Sequence, residues 1–371
     1  MMWAMAAVTA AVRCDRIGCS RWKAEDRMKK LVHGGDIYRN KNVIDFSSNC
    51  NPFGPPEGVK QAIRDAAEKI GEYPDVMCTE LRETLAEKLC VPGEMIFFGN
   101  GAAEVIFSIA FALKPEKALL PAPTFAEYEQ ALAAVGCEIE HYMTYEKDSF
   151  GIREDMMSFL TEDIDVIFIC NPNNPTGTVT DKDMLMKIAD RCMENDITLV
   201  IDECFLDFAY EGQSMSMMNE LANNGKLVIL KAFTKLYAMA GVRLGYCVSS
   251  DTDLLERMND AVQPWNVSTI AQLAGAAALK EDEYAERTCM EIKKERLWLA
   301  DALKDEGLKV LDSEGNYLFF TGSDDLYDKL MEKGIMIRDC SNYRGLYRGC
   351  YRAAVKLHED NVKLIEALRS I

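Results

Sequence analysis

Five short apolar segments, each ending in polar or glycine-rich residues, constrain the fold of this chain most strongly. They are IFFGN (96–100), KALLPAP (117–123), DVIFICNPNNPTG (165–177), TLVIDECF (198–205) and KLVILKAFT (226–234). A stretch with helical periodicity follows each of the first three. Continuous hydrophobic strands that alternate with helices are typical of a mainly parallel sheet covered on both faces. The sequence therefore predicts an α/β protein that binds its ligand beyond the carboxyl ends of these strands.

The length of 371 residues suggests about two domains. Residues 61–263 contain the strand–helix alternation and are predicted to form the larger domain. The pattern changes from about Trp265, where a long helical stretch runs to about residue 307. The segments LKVLDS, NYLFFTG, IMIRDC and YRAAVK then read as short strands between helices. Residues 264–371 are therefore predicted to form a smaller α+β C-terminal domain.

The N-terminal part is predicted to have two sections. Met28, followed by two lysines, looks like a natural start, so residues 1–27 are predicted to be a disordered extension. Residues 28–60 are predicted to form an N-terminal segment. Within it, residues 43–56 are rich in proline, glycine and asparagine and should cross between the domains as a loop.

Composition and charge argue against several classes of function. The net charge of −18 disfavours nucleic acid and anionic membranes as partners, because both require clustered lysine and arginine. The apolar run at the N-terminus is about twelve residues long, too short to span a bilayer. Thirteen cysteines show no CxxC pair, and the three histidines show no zinc spacing. This usage indicates a reduced cytoplasmic protein without a metal site.

Six motifs occur in one order: YPD, GNGAAE, PTFAEYE, NPNNPTG, DECF and FTKLYAMAGVRLGY. Together they resemble the fold type I pyridoxal-phosphate (PLP) enzymes of the class I/II aminotransferase superfamily over residues 31–371. The resemblance implies the aspartate aminotransferase-like fold, PLP as cofactor and an enzyme that works as a homodimer. The same fold can serve as a non-catalytic effector-sensing module in transcription regulators. That alternative requires an attached basic DNA-binding domain, and residues 1–30 are too short for one.

The resemblance implies specific roles around the cofactor ring. Lys235 would bind the PLP aldehyde through its amine, which must be neutral to attack. Asp202 follows a buried apolar strand, where a carboxylate needs a partner, and would pair with the pyridinium nitrogen. Asn174 would donate to the ring hydroxyl, and the Asn174–Pro175 bond is a candidate cis peptide. Phe125 would stack on the ring.

The cofactor phosphate requires donors, and the GNGAAE motif lies between a strand and a helix. Backbone N–H groups at a helix N-terminus favour anions. The resemblance implies that the phosphate is held by Gly101, Ala102, Ala103, Thr234 and Arg243. Tyr73 of the YPD motif would reach the phosphate of the neighbouring subunit.

Phe205 departs from the family pattern. Many transaminases carry a tyrosine three residues after the aspartate, and its hydroxyl donates to the ring oxygen. Phe205 cannot donate, so Asn174 would be the main side-chain donor to that oxygen. This departure weighs against ordinary transamination.

The substrate residues separate two reactions. Arg352 would bind the substrate carboxylate with its planar guanidinium group. Arg338, His33 and Asn49 occur in segments that look like the L-threonine-O-3-phosphate decarboxylases of cobalamin assembly, which use such residues around a substrate phosphate. The preferred prediction is decarboxylation of L-threonine O-3-phosphate to (R)-1-aminopropan-2-yl phosphate. The alternative is transamination with 2-oxoglutarate, of histidinol phosphate or of another amino acid.

Overall fold

The structure is a computed structural model that describes residues 33–209 and 212–371. The prediction for residues 1–27 lies outside this part of the chain. The strands are β1 (Ile44–Asp45), β2 (Ile96–Gly99), β3 (Lys117–Ala122), β4 (Glu138–Met143), β5 (Val166–Cys170), β6 (Thr198–Asp202), β7 (Leu227–Ala232), β8 (Gly245–Ser249), β9 (Lys309–Val310), β10 (Tyr317–Thr321), β11 (Ile335–Met336), β12 (Arg338–Asp339) and β13 (Cys350–Ala354).

The α-helices are α1 (Glu57–Ala66), α2 (Thr79–Leu89), α3 (Ala102–Leu113), α4 (Ala126–Ala134), α5 (Lys182–Glu194), α6 (Gly212–Met215), α7 (Thr252–Ala261), α8 (Thr269–Ala278), α9 (Asp282–Asp305), α10 (Leu326–Glu332) and α11 (His358–Arg369). Short 3-10 helices lie at Ala67–Lys69, Gly93–Met95, Glu146–Asp148, Glu154–Ser158, Leu206–Phe208 and Met218–Asn223.

The larger sheet has seven strands in the order β2-β8-β7-β6-β5-β3-β4. Strand β8 is antiparallel to both of its neighbours, and the other pairs are parallel. The five predicted strands therefore run in one direction, and the predicted α/β fold with a mainly parallel sheet is confirmed. Strand β4 was not predicted, because EIEHYM at the sheet edge has no continuous apolar run. Strand β8 was not predicted because it follows directly on the glycine-rich loop.

The smaller sheet is antiparallel, with the order β12-β13-β10-β9. Its core includes Phe46 from the N-terminal segment, and β1 pairs in parallel with β11. A few residues later, Asn51 donates from its backbone N–H to the carbonyl of Lys235 in the larger domain (3.2 Å). The segment 43–56 thus crosses between the two cores, and it begins as a short strand rather than as a loop throughout.

The predicted single helical stretch before residue 307 is wrong, because the chain forms two helices separated by a turn at 279–281. Helix α8 packs against α1 in the larger core. Helix α9 buries Tyr284 and Ile292 in that core, whereas Leu299 and Leu303 lie in the smaller core. The packing therefore changes from one core to the other within α9, beyond the boundary predicted at residue 264.

Candidate active site

Lys235 lies in the loop that follows β7, on the side of the sheet where the parallel strands end. Its Nζ atom is 5.1 Å from the centre of the Phe205 ring, and the side chain is half-buried. Asn51 fastens this loop, because its side-chain amide also donates to the carbonyl of Leu236 (2.7 Å). The neighbouring Thr234 is half-buried as well. The lysine amine therefore lies near the Phe205 ring, beyond the carboxyl ends of the parallel strands.

Asp202 is the last residue of β6 and is 5% exposed. Its Oδ2 accepts a hydrogen bond from the Tyr128 hydroxyl (2.5 Å), and its Oδ1 accepts from the backbone N–H of Cys204 (2.9 Å). Burial, and then the charge of Asp202, raise the pKa of the Cys204 thiol, while Lys235 acts in the opposite direction. The structure therefore brings the predicted lysine and aspartate into one electrostatic environment.

Gly101, Ala102, Ala103 and Arg243 come together at the start of α3. Gly101 precedes the helix with φ +81°, and a Cβ atom on it would lie 2.4 Å from the Arg243 Nη2 atom. A Cβ on Gly245 would lie 2.4 Å from the Ala102 nitrogen. The guanidinium group thus packs against the N-terminal turn of the helix, where backbone N–H groups and a cation can hold an anion.

Asn174 and Phe125 lie above neighbouring strands. Asn174 is buried, and its Oδ1 accepts a hydrogen bond from Arg352, so donation to a ligand would use its Nδ2. The Asn174–Pro175 bond is cis, as predicted. Phe125 directly precedes α4 and packs edge-to-face on Tyr128, with ring centres 5.6 Å apart.

Arg352 in β13 of the smaller sheet contacts both the larger domain and the crossover segment. Besides Asn174, it donates through Nη2 to the carbonyl of Ser47 (2.7 Å). Its guanidinium carbon lies 5.5 Å from the centre of the Tyr317 ring. Its buried Nε has no hydrogen-bond partner among the described residues. Tyr317 in turn packs edge-to-face on Phe205 at 5.0 Å.

Arg338 and His33 form the outer part of the cluster. Arg338 is buried and donates to the carbonyl of Asp339 (2.6 Å) and to Asn342 Oδ1 (2.9 Å). Burial, and then the charge of Arg338, lower the pKa of His33. The His33 Nδ1 atom lies 3.3 Å from Glu127 Oε1. His33 therefore lies beside Glu127 and within the electrostatic influence of Arg338.

Asn49 lies in the crossover segment, and its side chain is buried. Its Oδ1 has no hydrogen-bond partner among the described residues, and its carbonyl accepts from Asn316 Nδ2 (3.0 Å). An amide oxygen without a partner in a buried site can accept a hydrogen bond from a ligand, since leaving it unsatisfied is costly.

Tyr73 is 79% exposed, and its ring stacks on Trp265 with centres 4.5 Å apart. Other large apolar side chains are exposed in the same stretch of chain, namely Ile70, Val76 and Met77. Several exposed apolar side chains within one short stretch of chain are typical of an interaction surface.

The sequence predictions missed three residues of this site: Glu127, Tyr128 and Tyr317. A signal existed for Tyr128, because residues three apart on a helix share a face and Phe125 lies three positions earlier. No local signal marked Tyr317, which reaches the site from the smaller sheet. Its hydroxyl donates to the carbonyl of Asn173 (2.7 Å).

The described residues contain neither a metal-binding cluster nor a membrane-spanning helix. No cluster of three or more histidine, cysteine, aspartate or glutamate side chains could hold a metal ion there. No helix in that part of the chain has the length and apolar character needed to cross a membrane.

Residues 41–368 match the family model described as aminotransferase class I and II. This chain belongs to the class I and II aminotransferase family. It is 37% identical over 352 residues to a threonine-phosphate decarboxylase from Salmonella typhimurium. The aligned region covers 92% of this chain and 96% of that protein. It is 31% identical to a histidinol-phosphate aminotransferase from Caldicellulosiruptor saccharolyticus, with 89% and 92% covered.

A solved histidinol-phosphate aminotransferase from Clostridium acetobutylicum is similar in structure, with a TM-score of 0.83 and 31% identity over 88% of this chain and 98% of that one. Membership of the class I and II aminotransferases makes the chain a PLP-dependent enzyme with the aspartate aminotransferase-like fold. The site suits PLP chemically, because it combines a half-buried lysine, a buried carboxylate and a helix N-terminus beside an arginine. The regulator alternative is therefore set aside.

Proposed function

We propose that this class I and II aminotransferase relative decarboxylates L-threonine O-3-phosphate to (R)-1-aminopropan-2-yl phosphate. One observation carries the proposal: Arg338 and Arg352 are directly opposite each other in the antiparallel β12–β13 pair, and both are buried. Like charges at opposed strand positions destabilise a sheet. The pair therefore favours a ligand with two anionic groups, such as a carboxylate and a phosphate.

The contacts of Arg352 support its assignment to the carboxylate. Its two protein acceptors are the amide oxygen of Asn174 and the carbonyl of Ser47, and neither neutralises the guanidinium charge. Its planar fork suits a carboxylate, and its unpartnered Nε offers a further donor. The phosphate is assigned to Arg338, His33 and Asn49, the last through its Nδ2, because the amide oxygen cannot donate to a phosphate oxygen.

The cofactor is assigned to the residues of the larger domain. Lys235 would bind PLP covalently, Asp202 would hold a proton on the ring nitrogen, and Asn174 Nδ2 would donate to the ring oxygen. Phe125 would stack on the ring. The phosphate would lie in the cradle made by Gly101, Ala102, Ala103, Thr234 and Arg243.

The bound cofactor supplies a protonated aromatic ring that accepts the electron pair of a breaking bond at the substrate α-carbon. The bond that stands perpendicular to the ring is the one that breaks. Arg352 and Arg338 would set that orientation by holding the carboxylate and the phosphate. The carbon that loses carbon dioxide must take up a proton, and the amine of Lys235 would deliver it.

Transamination is the second candidate, because the same arginine pair could bind the phosphate of histidinol phosphate and then the two carboxylates of 2-oxoglutarate. Phe205 weighs against it, since it has no hydroxyl for the ring oxygen. The name of the Salmonella typhimurium relative supports decarboxylation, and that of the Caldicellulosiruptor saccharolyticus relative supports transamination.

A product assay separates the two reactions. PLP-loaded enzyme is incubated with L-threonine O-3-phosphate alone, and carbon dioxide and the amine product are measured. A parallel reaction contains histidinol phosphate and 2-oxoglutarate, and glutamate is measured. The proposal predicts equal amounts of carbon dioxide and amine in the first reaction. Glutamate in the second reaction without carbon dioxide in the first would reject it.

We also propose a cytoplasmic homodimer. The exposed Tyr73–Trp265 stack supports an interface through which Tyr73 reaches the partner subunit's cofactor phosphate. Sedimentation of the wild type and of Tyr73→Ala tests the interface. The eleven described cysteines are all free thiols, which supports a reducing compartment.

A further inference from the structure

The Glu127 carboxyl group projects from the first turn of α4 into the substrate cluster, where none of the roles above uses it. Oε1 lies 3.3 Å from His33 Nδ1, and the side chain is 14% exposed. Oε2 is buried and has no hydrogen-bond partner among the described residues. A buried carboxylate oxygen without a donor favours the protonated form of the acid.

Three charged groups and one phenol from other elements influence Glu127. The backbone N–H of Glu127 favours the ionised form of its carboxyl group, as do Lys235 and Arg338, whereas Asp202 opposes it. The phenol of the half-buried Tyr343 lies in the same electrostatic environment. Burial outweighs the two cations and raises the pKa of Glu127 to about 7. Near neutral pH, Glu127 is therefore balanced between its two forms.

A phosphorylated substrate would disturb this balance. A phosphate monoester carries a charge of about −1.5 to −2 at pH 7. Two anions that share a partly buried site cannot both stay ionised without a large cost. Entry of the substrate therefore favours uptake of a proton by Glu127.

The protonation state of Glu127 also decides which nitrogen of His33 carries hydrogen. A protonated Glu127 donates to Nδ1, so that neutral His33 keeps its hydrogen on Nε2. An ionised Glu127 beside a neutral His33 accepts from Nδ1–H and leaves Nε2 with a lone pair, which repels a phosphate oxygen. The lowered pKa of His33 favours this neutral ring. The hydrogen bond at one ring nitrogen thus sets the role of the other.

We propose that Glu127 is a positioning residue that keeps a proton in the substrate complex and thereby sets His33 to donate from Nε2 to the substrate phosphate. The inference rests on the proposed function only in requiring a phosphorylated substrate. It distinguishes Glu127 from Glu129, two residues later, whose carboxylate lies 3.0 Å from Arg344 and is much more exposed.

The test compares the wild type with Glu127→Gln, whose amide is neutral at every pH and can donate to Nδ1. For the wild type, KM for L-threonine O-3-phosphate should rise about tenfold per pH unit above pH 7, because binding requires a proton that the free enzyme has lost. Glu127→Gln should lack this rise, so that at pH 9 it binds substrate at least about tenfold more tightly than the wild type. The kcat values of the two proteins should differ much less than their KM values.

A binding measurement makes the test independent of turnover. Calorimetric titration with inorganic phosphate at pH 8.5, in two buffers of different ionisation enthalpy, gives the number of protons taken up. The wild type should take up close to one proton more than Glu127→Gln. Glu129→Gln should match the wild type. Glu127→Met, which can neither ionise nor donate, should lose the pH dependence and bind weakly at every pH.

Equal proton uptake by the wild type and Glu127→Gln would overturn the inference, as would failure of phosphate to bind either protein. Weaker binding by a folded Glu127→Gln at every pH, with the wild-type pH dependence, would also overturn it. Failure of the proposed function looks different: no carbon dioxide would form from L-threonine O-3-phosphate, while the difference in proton uptake would remain.

Discussion

The hydroxyl of Tyr128 donates a hydrogen bond to Asp202 Oδ2 across 2.5 Å, and both side chains are buried at the carboxyl end of the larger sheet. Tyr128 itself stacks on Phe168, with ring centres 5.1 Å apart. The stacking on Phe168 orients the Tyr128 ring, and the Tyr128 hydroxyl orients the carboxylate of Asp202. The acid proposed to hold the cofactor nitrogen is thus oriented before the cofactor arrives.

Tyr128→Phe is expected to lower kcat/KM by about 10- to 100-fold, because a hydrogen bond to a charged group is worth about 1.5–3 kcal/mol. The matched control is Tyr142→Phe, which removes a 2.5 Å hydrogen bond from a hydroxyl to Asp155 away from the site. Steady-state kinetics and thermal unfolding of both variants make the comparison. Equal losses of activity in the two variants would show that the Tyr128 bond has no special relation to the site.

Lys235→Ala is expected to abolish turnover and the covalent attachment of PLP, because the amine that binds the cofactor is missing. Mass spectrometry after borohydride reduction detects the attached cofactor. Lys226→Ala removes a lysine whose side chain pairs with Asp196 on the surface, and it should still carry the cofactor. A reduced adduct on the Lys235→Ala chain would move the attachment site elsewhere.

Arg352→Lys is expected to raise KM for L-threonine O-3-phosphate at least about tenfold, because lysine cannot offer a planar fork to a carboxylate. It would also lose the contacts that join Asn174 to Ser47. Arg348→Lys, at an exposed position near the same strand, should leave KM unchanged. Initial-rate measurements decide, and an unaltered KM in Arg352→Lys would remove Arg352 from substrate binding.

The raised pKa of Glu127 also predicts that the free energy of unfolding depends on pH in the absence of any ligand. Its pKa is raised in the folded state to about 7 from an ordinary value near 4.5, so the folded state favours the protonated acid. This contribution is fully present at low pH and is lost as pH rises through 7, at a cost of up to about 3 kcal/mol. Glu127→Gln should therefore unfold at the wild-type temperature at pH 4 and at a higher temperature at pH 8. An equal difference at both pH values would contradict the raised pKa.

The fold could be predicted where the sequence pattern is local. Strands β2, β3, β5, β6 and β7 are continuous apolar runs, and a run of that kind can only be buried on both faces. Strand β4 was missed because it is an edge strand with partly exposed side chains. The turn between α8 and α9 was missed because both helices have apolar periodicity, and only their packing on different cores separates them.

In the candidate site, too, the residues within local motifs could be predicted, whereas contacts between distant segments could not. Lys235, Asp202 and Asn174 stand in motifs with fixed spacing, so the sequence marked them. Glu127 lies in one of those motifs, but nothing in PTFAEYE shows that a residue near the N-terminus, His33, contacts it. The opposition of Arg338 and Arg352 depends on strand register, which is set by tertiary packing.

The proposed decarboxylation breaks the bond between the α-carbon and the carboxylate of a phosphorylated amino acid. Incubation with L-threonine O-3-phosphate in deuterium oxide, followed by mass spectrometry and NMR, reports which bond breaks. Decarboxylation should give an amine product with one deuterium on the carbon that lost carbon dioxide, and the remaining substrate should keep its α-hydrogen. Recovered L-threonine O-3-phosphate with deuterium at its α-carbon, and no carbon dioxide, would contradict it.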